Sequence, residues 1–280
     1  MIHKIEAQYL HSKIHLGAMF YQGDLTPRAI DYSFGPGNLA WGVSVGKDLT
    51  DWISINARFM KGTLTGDDSY STNLIQRSRN LSFSSPLYEY GFYADVRINK
   101  FWKALDKYKL RLYLSVGLNL IHFNPKTYYK GQWVDLQPLG TEGQTLPGSV
   151  KNKYSLNSLS RPIGITIEFD ITHRTAFGLE IAPRKTYTDY LDDVSGAYPF
   201  YDDMMSAGNT LGANLSNRRG EFFGTDNERL STGATRGNPN NNDWYTHVGC
   251  YFKFKFGKTR TSTFEEQPDK NQYPIQKDSP

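Results

Sequence analysis

An alternation of apolar and polar residues with a period of two recurs in about eight segments of this chain, and it constrains the fold more than any other feature. The clearest case is RPIGITIEFDITHRTAFGLEIAPRK, residues 161–185, where Ile163, Ile165, Ile167, Phe169 and Ile171 take every second place with Thr166, Glu168 and Asp170 between them. Successive side chains of a strand point to opposite faces, so this segment reads as a strand with one apolar and one polar face. ITHRT then reverses the chain, and Phe177, Leu179 and Ile181 resume the alternation against Ala176, Gly178 and Glu180, as in a tight hairpin. The apolar face needs a protein core or lipid, and the carboxylate face needs water or charged partners.

The same period marks Ile14, Leu16, Ala18 and Phe20, then Trp41, Val43 and Val45, then Ile53, Ile55, Ala57 and Phe59 against Ser54, Asn56 and Arg58. A fourth strand sets Tyr88, Tyr90, Phe92, Ala94 and Val96 against Glu89, Gly91, Tyr93, Asp95 and Arg97. A fifth sets Leu112, Leu114, Val116, Leu118 and Leu120 against Arg111, Tyr113, Ser115, Gly117 and Asn119. The last sets Val248, Cys250, Phe252, Phe254 and Phe256 against His247, Gly249, Tyr251, Lys253 and Lys255. Most of these strands approach the length of about 9–11 residues that crosses a membrane.

The links alternate in length. KDLTD, NKFWKALDKYK and ITHRT are short, whereas links of roughly residues 22–37, 62–86, 124–160 and 185–243 are long and polar. That asymmetry predicts an all-β fold, an eight-stranded antiparallel up-and-down transmembrane β-barrel with long extracellular loops and short periplasmic turns. It would sit as a multi-pass barrel in the outer membrane of a Gram-negative bacterium, in contact with its lipid and with both termini periplasmic. Residues 1–257 form the barrel, and the proline-punctuated stretch 258–280 reads as a flexible periplasmic tail. NKFWKALDKYK would make one or two helical turns with Phe101, Trp102 and Leu105 on one side.

A soluble barrel also alternates, with its apolar residues inside, and a β-sandwich uses shorter strands. Lipid outside is favoured by the mixed charges and small residues of the polar face, and by an apolar face with few charges at mid-strand. Trp41, Trp52, Tyr88 and Trp244 near strand ends would form an aromatic girdle. Eight strands leave a lumen only wide enough for side chains. Arg58, Glu89, Asp95, Arg97, Arg111, Glu168, Glu180, Arg184 and Lys253 would face inward and neutralise one another, giving a plugged barrel.

Composition adds exclusions. The net charge is +4 and 14% of residues are aromatic, which suits a β-rich protein with a half-wet surface and offers no basis for nucleic-acid binding. Cys250 is the single cysteine, so neither an intrachain disulfide nor a Cys-based zinc site is expected. The opening MIHKIEAQYLHS lacks the apolar run of an export signal, so an exported protein would here be a mature chain with a start Met or carry an incomplete gene start.

No HExxH, GxSxG, P-loop or GxGxxG motif occurs, and no catalytic residue, cofactor or metal is expected. His122, near the outer end of the fifth strand, is the one candidate for a rim catalyst and reads more simply as an interfacial polar residue. Asp189, Asp192 and Asp193 cluster as calcium ligands do, but without the EF-hand spacing they read as a solvated turn. No mechanism is apparent in SNRRGEFFGTDNERLSTGATRGNPNNNDW, residues 216–244.

Two elements carry a resemblance. Tyr21, Gly23, Asp24 and Leu25 follow the first strand, and Lys185, Thr186, Thr188, Asp189, Tyr190, Asp192, Asp193 and Val194 follow a late one. With these the chain resembles the PorG-like outer-membrane proteins of the type IX secretion system over about residues 14–257. His247, Gly249, Phe252 and Phe254 resemble the terminal signal read by the outer-membrane assembly machinery, here followed by the tail. The resemblance implies a non-enzymatic role, tethering a periplasmic ring of lipoprotein and partner subunits to the outer membrane in protein export and, in some members, gliding. The turns 47–51, 99–108 and 171–174 and the tail are the surfaces expected to meet that ring. Two rival readings are a small receptor or adhesin acting through its outer loops and a lipid-modifying barrel enzyme.

Overall fold

The computed structural model describes residues 9–26, 38–101, 110–225 and 233–256. Its strands, in chain order, are β1 (Leu10–Gln22), β2 (Leu39–Asp48), β3 (Ile53–Asp67), β4 (Ser82–Arg97), β5 (Leu110–Phe123), β6 (Lys126–Tyr129), β7 (Gln132–Asp135), β8 (Asn157–Asp170), β9 (Thr175–Thr186) and β10 (Trp244–Phe256). The eight long strands pair antiparallel in the order β3-β2-β1-β10-β9-β8-β5-β4, and β4 pairs back onto β3, so the sheet closes. The β1–β10 seam is continuous from Leu10↔Phe256 to Gln22↔Trp244. Closure leaves no long strand with a free edge, which is what allows a sheet to sit in hydrocarbon.

The apolar set faces outward. Phe92 is 76% exposed and Val45 64%, whereas Glu89, on the opposite face of the same strand as Phe92, is 0% exposed. Ile14, Leu16, Leu118, Leu120, Ile163 and Ile181 continue the exposed belt around the barrel. A soluble barrel has the reverse arrangement, and an apolar belt of this extent is stable only against lipid. This is therefore a transmembrane barrel. No helix among the described residues is long and apolar enough to cross a membrane.

Several boundaries differ from the sequence reading. β3 and β4 have 15 and 16 residues, more than a crossing needs, so the link expected over residues 62–86 shrinks to 68–81. The extra turns of pairing hold because Leu64 and Phe83 are buried where the strands rise above the belt. The next long link contains the hairpin β6–β7, whose two-residue turn puts Lys130 and Gly131 at positive φ. Ala18 and Phe20, read as part of the apolar outer face, are both buried. Ile98–Phe101 forms a single 3₁₀ turn; Trp102, Leu105 and the tail 258–280 lie outside the described residues.

The short links 49–52 and 171–174 mark one end of the barrel, called here the turn end. At the other, the loop end, the long links fold into a cap. It contains α1 (Leu74–Arg79), α2 (Tyr201–Ser206), α3 (Thr210–Ser216) and α4 (Arg219–Phe223). Asn73 caps α1 by accepting the Ile75 amide, and Asn80 ends it in the left-handed conformation.

Candidate functional site

The lumen has two layers of different chemistry. Toward the turn end it is ionic. Arg58 makes a two-pronged bond to Glu180 (2.7 and 3.1 Å), and Lys13 reaches Asp95 at 2.9 Å. Lys253 lies 3.5 Å from Asp48 and 3.9 Å from Glu168, and Arg111 pairs with Glu168 and Asp170. Arg184 and Glu89, both fully buried, meet at 2.7 Å, with Tyr93 and Tyr245 also donating to Glu89 at 2.7 Å. Arg97 turns instead toward Asn99 at 3.1 Å, at the turn end. His11, Lys13, His15 and Tyr251 belong to the same buried set. Sequence reading could have found them, since they alternate with Ile14, Leu16 and Phe252.

Above Arg184 the lumen becomes apolar, where the alternation predicted a polar interior throughout. Met19, Met60, Leu64, Leu87, Ile121 and Phe123 are buried in one cluster with Leu25, Leu81, Leu191 and Val194 from the loops. The loops therefore close over the lumen and share its core. Once both faces of a strand are apolar, period two no longer reports which face is inside.

The cap is organised around buried carboxyl groups. The Tyr21 hydroxyl lies 2.6 Å from Asp192 Oδ2 and 3.1 Å from Asp243 Oδ1. The Val194 amide donates to Asp192 Oδ1, and the Leu191 amide to Asp243 Oδ2. A phenol has one proton to donate, so an arrangement in which both contacts are hydrogen bonds needs one carboxyl to be protonated and donate back. Burial pushes both carboxyls well above the ordinary range, and for Asp243 the charge of Asp192 adds to the effect. Gly23 is required here by close approach: a Cβ on it would stand 2.0 Å from both the Tyr21 hydroxyl and Asp243 Oδ1.

Two arginines tie the loops together. Arg79 holds Asp68 through two bonds (2.7 and 2.8 Å) and donates to the carbonyls of Asp24 and Arg236, both at 2.7 Å. Arg236 reaches the Asp193 carbonyl at 2.5 Å and Glu142 Oε1 at 3.3 Å. Glu142 also accepts the amides of Ser195 and Gly196, each at 2.9 Å. Asp193 takes the hydroxyls of Thr141 (2.5 Å) and Tyr154 (2.7 Å); burial raises it to about 6 despite Arg236. Burial likewise raises Asp189 to about 7, beside Ser195. Arg79, Glu142, Arg236 and Asp243 carried no recognisable spacing, because the partners named above lie 11 to 222 residues away.

Asp189, Asp192 and Asp193 are buried under the folded loops, where the spacing suggested a solvated turn, and they point to different partners; among the described residues no group of three or more His, Cys, Asp or Glu converges as metal ligands do. In the rest of the late element, the Thr186 hydroxyl bonds the carbonyls of Thr188 and Asp243, and Tyr190 reaches Glu142 at 3.3 Å. Lys185 stands outside beside Trp244. His122 is exposed, 2.9 Å from Asn157 and against the Tyr88 ring. His247 and Gly249 face inward, where Gly249 lies opposite Gly17, while Phe252 and Phe254 face outward.

Strand closure, the lipid-facing belt and the filled lumen define a small transmembrane β-barrel under a folded cap. The chain belongs to the family described as a domain of unknown function, DUF6089, whose model matches residues 1–217. No curated protein matches it significantly. Similar solved structures include Neisserial surface protein A, NspA (8% identity, TM-score 0.39, covering 89% of this chain and 97% of that one). Others are a major outer membrane protein from Thermus thermophilus (9%, 0.40, 90% and 100%) and Ail from Yersinia pestis (8%, 0.39, 90% and 100%).

Proposed function

We propose that this barrel is a non-catalytic outer-membrane component of the type IX secretion machinery, tethering a periplasmic ring of lipoprotein and partner subunits. The observation that carries the reading is that the two elements of the resemblance form one unit. Tyr21 of the first bonds Asp192 of the second across 171 residues, and Leu25 shares a core with Leu191 and Val194. A lumen filled by buried ion pairs and an apolar layer suits an anchor better than a pore. In this reading the turn end, with links 49–52, 98–109 and 171–174, and the tail 258–280 face the periplasm and carry the contacts.

The test is affinity purification from outer membranes in mild detergent, comparing the full chain with one truncated after Lys258 and with charge reversals in the short turns. Ring subunits should co-purify with the full chain and be lost with the tail or turns. Recovery of the barrel alone, or ring association that survives these changes and vanishes when residues 196–240 are deleted, would transfer the function to the outer loops and favour the receptor or adhesin reading.

A further inference from the structure

The lipid-facing side of the loop end carries a row of residues that anchoring does not use. Arg161, Lys185 and Trp244 are successive cross-strand neighbours on β8, β9 and β10, all exposed on the outer face. Lys185 Nζ lies 5.3 Å from the Trp244 ring and the Arg161 guanidinium 4.9 Å from that of Tyr187. Ile163 and Ile181 continue the same faces into the belt, so the two cations stand at the boundary between hydrocarbon and water.

Above this row opens a cavity of about 420 Å³, walled by Asp24, Asn240, Asn241, Asn242, Lys185 and Trp244 among others. Its floor is built. Asp24 Oδ2 accepts the Asn238 amide at 2.9 Å, the Asn240 amide donates to the Asn238 side chain at 3.2 Å, and Asn242 donates to the Thr186 carbonyl at 3.3 Å. The side chains of Asn240 and Asn241 are exposed, and the indole is 39% exposed.

This lining selects a chemistry. Carboxamides and a carboxylate together offer donors and acceptors to vicinal hydroxyls, and an indole offers an apolar face to the C–H side of a ring. An acyl chain would strand those polar groups, so it does not belong in the cavity. Asp24 repels an anion on one side, while Lys185 in the wall, with Arg161 as its cross-strand neighbour just outside, attracts one on the other. We propose that the cavity binds a phosphorylated sugar, its hydroxyls toward Asp24 and the asparagines and its phosphate toward Lys185 and Arg161. The source is the headgroup of an outer-leaflet glycolipid, whose acyl chains would lie along Ile163 and Ile181. The proposal requires only that the loop end meet the outer leaflet and is independent of the secretion role.

The test uses the full chain in nanodiscs of phosphatidylethanolamine and phosphatidylglycerol doped with bisphosphorylated lipid A, with retained lipid identified by native mass spectrometry. Wild type should retain lipid A over phosphatidylglycerol by about tenfold or more, and Arg161→Gln/Lys185→Gln should lose about tenfold of it, as removal of charge-assisted phosphate contacts implies. Asn241→Ala and Trp244→Phe should weaken retention of lipid A and of its dephosphorylated form alike, because they act on the sugar. Folding of each variant is checked by its heat-modifiable gel shift. Equal retention of phosphatidylglycerol and lipid A, or no change in the folded variants, overturns the proposal by reducing the row to an interfacial girdle. Displacement of lipid A by soluble glucosamine 1-phosphate would support the sugar-phosphate site while assigning it a free ligand; failure to displace would support the lipid source.

Discussion

At the scale of single residues, the Tyr21 hydroxyl, near the end of β1, stands between two buried carboxyl groups at the two ends of the last long loop. Tyr21→Phe removes the donor but leaves Asp192 and Asp243 in place, so it should cost about 1–3 kcal/mol, the range for stranding a buried polar group. The cap should open locally while the strands hold, which proteolysis of the loops on folded protein would detect. In the lumen, Arg58→Ala leaves Glu180 buried without its cation and should cost about 3–5 kcal/mol, whereas Arg58→Met with Glu180→Leu should recover most of that loss. Urea unfolding in lipid vesicles gives both values. A double variant as unstable as the single one would mean that the pair's attraction, and not the stranded charge, dominates. Arg58 and Glu180 were legible in the sequence as inward residues because both sit on the polar phase of a clean alternation. Their pairing was not, since it depends on barrel register.

The elements divide by how much each sequence position says about its surroundings. In β4, β5, β8, β9 and β10 the solvent changes from lipid to lumen at every residue, so residue type follows phase and the strands could be read directly. In the cap, burial comes from long-range closure. Arg236 and Asp243 lie in a polar stretch with no periodic signal, yet both are nearly fully buried. The cap's pH response follows from its raised carboxyls. Asp189 and Asp193 are raised to about 7 and about 6, and burial also raises Asp192 and Asp243 well above the ordinary range, with Asp24, Glu142, Arg79 and Arg236 as the charged neighbours. A carboxyl raised above its unfolded value of about 4 contributes stability that is fully present below that pH and is lost as pH rises through its folded value. Amide exchange in residues 187–196 and 234–243, corrected for its intrinsic pH dependence, should therefore be faster at about pH 8 than at about pH 5. Protection that is flat, or that increases with pH, would show these carboxyls to be ionised throughout.

For the whole molecule, the question is which part seals it. An ion entering from the turn end would meet the Arg58–Glu180 and Arg184–Glu89 pairs, in which each charge already has its counter-charge, and then Met60, Leu87 and Ile121, all 0% exposed. Crossing that apolar layer would require shedding hydration with no replacement ligand. The cap lies beyond it and adds a second closure. The seal should therefore survive loss of the cap. In planar bilayers, wild type should show no conductance steps, and neither should a variant with residues 196–236 replaced by a short Gly-Ser link, which keeps Asp192 and Asp243 beside Tyr21. Replacing Met60 and Leu87 with serine in that variant should produce small, noisy currents, because the layer would then admit water between the ion pairs. Steady conductance on shortening the loop alone would instead place the seal in the cap and leave the barrel as a gated passage.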